Sequence, residues 1–166
     1  MKTLLILLGF LFMGVSTCVS PDFAPALSVL PASFTTVAPS YTRALRIIVR
    51  VNETVNVSSD GTAIVVRIPK TSNITFTYNP SLGALGATVL QNSLWAFSDA
   101  DPIYWEFTYT GVFPDYGESK FGFNATFNSF GQTGQLFINS IIVDGSGGET
   151  NFNNNFDSEV INYISN

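Results

Sequence analysis

Through most of residues 41–166 apolar and polar side chains alternate with a period of two, the pattern of strands that bury one face. Leu45, Ile47, Val49 and Val51 share one side of such a strand, with Arg46 and Arg50 on the other. After a turn at Asp60-Gly61, Ile64, Val66 and Ile68 repeat the pattern, and Ile74, Phe76 and Tyr78 continue it until Asn79-Pro80 stops the run. Residues 94–98 and 103–110 carry the two tryptophans. Phe121, Phe123, Ala125 and Phe127, separated by Gly122, Asn124 and Thr126, form the most regular alternation in the chain. Residues 135–143 and 159–164 predict the last two strands, joined by a polar Gly/Asn loop over residues 144–157.

No segment has a convincing helical period. Seven or eight strands at turn-marked intervals predict an all-β fold: an immunoglobulin-like antiparallel β-sandwich over residues 41–166, with Greek-key connections. Residues 21–40 are Pro-rich, and Pro21, Pro25, Pro31 and Pro39 exclude a central strand there. An edge strand around residues 26–30 and a flexible linker are both compatible with that stretch.

Residues 1–20 read as a signal peptide: Lys2, an apolar run over residues 4–15, then the small residues Ser16, Thr17 and Ser20. A run of about twelve residues is too short for a permanent membrane span, which needs about twenty. Val15-Ser16-Thr17-Cys18 resembles a bacterial lipoprotein box, so three expectations stand: ordinary cleavage, lipidation of Cys18, or retention of the uncleaved leader. Cleavage or lipidation places the protein outside the cell or on its surface, touching membrane only through a lipid anchor.

Composition narrows the chemistry. Charged residues are 11% of the chain, against roughly 25% in ordinary soluble domains. Hydrophobic residues are 46%, which excludes disorder driven by charge. The net charge of −5, with no basic run, disfavours nucleic acid as a partner, because phosphate neutralisation supplies most of that affinity. There is no histidine, and Cys18 is the only cysteine. That removes Cys-His zinc sites, Ser-His-Asp and Cys-His nucleophiles, and internal disulfides. The chain is expected not to be an enzyme.

Three constellations remain as candidate sites. Among the aromatics of residues 95–109, Trp105 is expected in the core, while Tyr104 and Glu106 face outward as a possible carbohydrate-binding pair. Asp144, Glu149, Asn151, Asn153 and Asp157 offer hard oxygen ligands for calcium, although their spacing is not that of the twelve-residue calcium loop; a solvated turn explains them equally. Beyond that calcium option no cofactor is implied. Asp99, Asp101 and Glu106 could be searched for a glycosidase carboxylate pair, but Asp99-Ala100-Asp101-Pro102 reads as a turn. Four N-x-[ST] sequons, at Asn52, Asn56, Asn73 and Asn124, matter only in a eukaryotic source. The cations Arg43, Arg46, Arg50 and Arg67 read as a solvent face that discourages edge aggregation.

Four stretches carry a resemblance: Pro21-Asp22-Phe23-Ala24-Pro25, Phe76-Thr77-Tyr78-Asn79-Pro80, Asn92-Ser93-Leu94-Trp95, and Gly145-Ser146-Gly147-Gly148-Glu149-Thr150-Asn151 through Asn153-Asn154-Asn155. They resemble an immunoglobulin-like β-sandwich domain of bacterial surface proteins, similar to the cell-adhesion-related and conserved-repeat domains of large adhesins. The resemblance implies a structural, adhesive or protein-interaction role, with an extracellular protein or glycan as partner, and supplies no catalytic residue. Contacts would run through end loops or by strand addition at an open edge.

Overall fold

A computed structural model describes residues 19–166. Residues 1–18, which include Cys18 and all but the last two residues of the expected leader, lie outside the described residues. The described residues form twelve strands: β1 (Phe23–Leu30), β2 (Ser33–Thr36), β3 (Thr42–Glu53), β4 (Ile64–Pro69), β5 (Ile74–Phe76), β6 (Ala84–Leu85), β7 (Thr88–Val89), β8 (Trp95–Ser98), β9 (Tyr104–Tyr109), β10 (Glu118–Asn128), β11 (Gly134–Ile142) and β12 (Phe156–Ser165). A smaller sheet has the order β1-β3-β10-β5, a larger one β2-β12-β11-β4-β9-β8, and β6-β7 is a separate hairpin.

The architecture is all-β, with more strands than the seven or eight expected. The additional ones are β1, an edge strand in the Pro-rich stretch, and β2, β6 and β7, which are two to four residues long and too short to show an alternation. One pairing also departs from the antiparallel expectation: β2 runs parallel to β12. The chain leaves the smaller sheet at Leu30 and joins the larger one at Ser33, so one segment closes a corner of the sandwich.

The predicted inward faces are the core. Leu45, Ile47, Val49 and Val51 of β3, Ile64, Val66 and Ile68 of β4, and Phe121, Phe123, Ala125 and Phe127 of β10 are all buried. Aromatic rings tie the sheets together. Across the sheets Phe121 stacks on Phe107 at 4.3 Å between centroids and Trp95 leans on Phe121 at 4.8 Å, while Phe123, stacked at 3.9 Å on Phe76 of its own sheet, faces Phe107 at 5.7 Å. With no disulfide available, this ladder contributes about 0.5–1.5 kcal/mol per ring pair beyond area burial. The fully buried tryptophan is Trp95, whose Nε1–H donates to Ser119 Oγ at 3.0 Å. Trp105 is half-buried and packs edge-on against Phe76.

Every long sheet edge must dispose of its backbone groups. On β10 the stretch beyond the reach of β5 is closed by residues just ahead of β8. Gln91 N–H donates to Lys120 O, and Gln91 Oε1 accepts from Lys120 N–H, both at 2.7 Å. Asn92 repeats this with its side chain alone: Nδ2 donates to Gly122 O at 2.8 Å, and Oδ1 accepts from Gly122 N–H at 2.9 Å. The amide thus stands in for one residue of a missing strand. Asn92 Nδ2 also donates to Asn79 O, and Tyr78 Oη–H donates to Asn92 O.

On β1, Thr54 N–H donates to Asp22 O at 2.9 Å, which fixes the antiparallel register. Alternate residues from Phe23 to Val29 then face away from β3. Phe23 N–H donates to Glu149 Oε2 at 3.2 Å, Pro25 has no N–H, and Leu27 N–H donates to Asp157 Oδ2 at 2.6 Å. The outermost strands β2, β5 and β8 are only three or four residues long; β2 covers β12 only at Asn162–Ser165, and β4 covers β11 only at Ile141 and Ile142.

Asn92→Ala is therefore expected to destabilise the fold by about 2–4 kcal/mol, since it strands buried backbone groups as well as losing bonds. Urea unfolding would measure it, and a loss below about 0.5 kcal/mol, the ordinary surface range, would show that the amide closes nothing.

Candidate functional site

The calcium candidates lie in the connection between β11 and β12, and this loop is built into the molecule. After Ile142 the chain makes a 3₁₀ turn at Ser146–Gly148. Gly147, with φ of +61°, lies so close to Phe23 that a Cβ there would come within 2.5 Å of the ring. Only glycine allows that approach, and it sets the following residues against the start of β1.

Glu149 is 3% exposed, with Oε2 on Phe23 N–H and Oε1 accepting from Asn155 Nδ2 at 2.7 Å. Asp22, also buried, accepts from Asn151 Nδ2 at 3.0 Å, from Asn154 Nδ2 at 3.1 Å and from the Thr54 hydroxyl. The loop, the head of β1 and the end of β3 are clasped by two carboxylates and three asparagines. Burial pushes the Glu149 carboxyl up to about 7, helped by the nearby charges of Asp22 and Asp144 and opposed by the Asn155 and Phe23 donors.

The five expected calcium ligands do not converge. Asp157 caps Leu27, four residues along β1 from the Glu149 contact, or about 13 Å at strand rise. Asn151 Oδ1 accepts from Asn153 N–H and Nδ2 instead of turning to Glu149. No group of three or more His, Cys, Asp or Glu side chains suited to a metal occurs among the described residues. Asp157 and Asn151 are thus engaged away from Glu149, and the solvated-turn reading of the loop is incomplete, because Glu149 and Asn155 are buried. Glu149 was recognisable as a candidate ligand, but Asp22 and Thr54 sit far from it in sequence and carried no signal.

Tyr104 and Glu106 lie on the outer face of β9. Glu106 Oε1 accepts from Arg67 Nε and Nη2, both at 2.7 Å, and the guanidinium sits over the Tyr104 ring, 5.4 Å from its centroid. One face of the Tyr104 ring is covered by the guanidinium. Asp101 closes the turn before β9, accepting from Ile103 and Tyr104 N–H, which hold its carboxyl below the usual range.

The outer face of the larger sheet along β11 and β12 is open. Its cross-strand pairs alternate in character. Ile141 faces Phe156 and Phe137 faces Val160, while Asn139 and Gln135 are hydrogen-bonded to Ser158 and Asn162 at 2.8 Å. Phe137, Phe156 and Ile164 are 61%, 57% and 55% exposed.

No family model matches the chain, and no curated protein matches it either. Among solved structures it is similar to the CARDB domain of a Pyrococcus furiosus protein, crystallised in complex with di-metal ions. That similarity has a TM-score of 0.53 at 16% identity and covers 87% of this chain and 90% of the other. A solution structure of that domain aligns at a TM-score of 0.46 and 12% identity, over 88% of this chain and 97% of the other. AvmM, described as catalysing macrocyclization in alchivemycin A biosynthesis, aligns at 0.38 and 12%, over 87% and 90%. The crystal-structure likeness shows the fold: this chain has the sandwich architecture of a CARDB domain, which is immunoglobulin-like.

The clasp has a pH signature. Folded Glu149 keeps its proton up to about pH 7, against 4.5 for the free group, so the folded state holds more protons between those values. Its contribution is full below about 4.5 and is lost as pH rises through about 7. Urea midpoints across that window should fall more in the wild type than in Glu149→Gln. Identical slopes would contradict this, and so would a calcium-induced rise in Tm that Glu149→Gln abolishes.

Proposed function

We propose that this chain is an exported, non-enzymatic adhesive domain that works outside the cell and makes protein contacts through the outer face of β11 and β12. The observation that carries the reading is the row of exposed Phe137, Phe156 and Ile164 on a flat, uncharged stretch of sheet. Exposed aromatic and aliphatic side chains next to satisfied amides suit the anchors of a protein interface.

Other features support it. The long edges of β1 and β10 carry their own caps, which favours a sheet face over strand addition. Absence of histidine, the single cysteine and the structural engagement of Asp101 and Glu106 favour a role without catalysis. The signal-peptide pattern of residues 1–20 supports export, with Cys18 either discarded or lipidated. No helix among the described residues is long and apolar enough to cross a membrane. The sandwich fold of a CARDB domain agrees with a cell-adhesion-related role.

The test is retention of source cells on a surface coated with the mature protein, whose intact mass reports leader removal and any acyl chain on Cys18. Phe137→Ser with Phe156→Ser should leave stability within about 1 kcal/mol and weaken adhesion about ten-fold or more. Adhesion equal to wild type would refute the face, and a native protein that keeps its leader would refute export.

A further inference from the structure

The smaller sheet carries a different kind of surface. Along its outer face, Ala26, Arg50 and Lys120 lie side by side on β1, β3 and β10; Ser28, Ile48 and Gly122 form the next row, and Leu30, Arg46 and Asn124 the third. Beside the longer side chains of these rows, the small Ala26 and Ser28 leave a groove of about 510 Å³, walled on one side by the β6-β7 hairpin. A Cβ on Gly86, at the hairpin turn, would come within 2.5 Å of Arg46 Nη1, so the guanidinium is seated against the hairpin backbone.

The charge in this groove is out of keeping with the chain. A protein with net charge −5 places Arg46, Arg50 and Lys120 around one depression. Arg50 and Lys120 are direct cross-strand neighbours, an arrangement that costs stability for like charges. Glu118 offsets part of that cost, reaching Arg50 Nε at 3.1 Å and Lys120 Nζ at 2.5 Å. Arg46 has no carboxylate partner among the described residues, and the site keeps two positive charges in excess. Local arrangements that work against stability without a structural return mark sites of function.

We propose that this groove binds an acidic glycan, a saccharide chain bearing carboxylate or sulfate groups. Arg46 and Arg50 stand four residues apart on one face of β3, about 13 Å along the strand. That separation suits two acidic groups on an extended ligand better than one small anion. Guanidinium forks bind carboxylate and sulfate oxygens through paired N–H donors. Ser28 and Thr88 offer hydroxyls to sugar hydroxyls, and Ala26 and Ile48 offer apolar floor to the C–H faces of the rings. Among the described residues no aromatic side chain lines the groove, which leaves them no stacking platform for a neutral sugar or a nucleobase. The site is on the other sheet from the adhesive face, and neither reading depends on the other.

Calorimetric titration tests it with three probes: a sulfated or uronate hexasaccharide, a neutral hexasaccharide, and an oligoglutamate peptide. The acidic saccharide should bind, the neutral one should not, and affinity should fall as salt is raised from about 50 to about 300 mM. Arg46→Ser with Arg50→Ser should weaken binding about ten-fold or more. Arg43→Ser, an exposed cation that does not line the groove, should change it less than about two-fold; Phe137→Ser with Phe156→Ser should leave it unchanged. Thermal unfolding confirms that each variant is folded. Failure of the acidic saccharides to bind overturns the proposal. So does equal loss in Arg43→Ser, which means diffuse charge alone, and so does tighter binding of oligoglutamate, which makes the groove a peptide site.

Discussion

The satisfaction of backbone groups at the sheet edges is the constraint on which the rest of this molecule depends. A sandwich without cysteine beyond position 18 has no covalent tie between its sheets, and its long strands β1 and β10 would otherwise present open ladders. The chain answers with side chains. Asn92 and Gln91 replace a strand beside β10, and Glu149, Pro25 and Asp157 account for the outward positions of β1 at Phe23, Pro25 and Leu27. These caps also connect distant segments, so the closure of an edge and the docking of a loop are one event. The loop after β11 is held because β1 needs its carboxylates.

The core was readable because strand alternation depends only on local order. The faces Leu45 to Val51 and Phe121 to Phe127 needed no knowledge of the fold. What could not be read was anything set by segments far apart. Asn92 is an ordinary polar residue in the sequence and an almost fully buried edge cap in the structure. Trp95 and Trp105 alternate equally well, and only the β8-β9 pairing with the Phe121 ring decides that Trp95 is the deeper one. Among the site candidates, Glu149 and Asp157 have oxygens of the right kind, but each is committed to a different N–H of β1. Arg46 and Arg50 were legible as an outward pair; Lys120 joins them only through the β3-β10 register, and the hairpin that walls the groove had no sequence signature.

The outer faces of the two sheets differ in kind. The outer side of β11 and β12 is apolar and uncharged, with its amides already paired. The outer side of β1, β3 and β10 is cationic over a floor of small side chains. An adhesive domain that meets a protein on one face and an acidic glycan on the other would use both without any moving part or catalytic group.

Native-state hydrogen exchange followed residue by residue tests the edge closure most directly. The amides of Phe23, Leu27, Lys120 and Gly122 should be protected to nearly the level of the central β3 and β10 amides, because their acceptors are held by the fold. Exchange of these four at the rate of exposed loop amides would mean that the side-chain caps do not hold, and the edges would then be open.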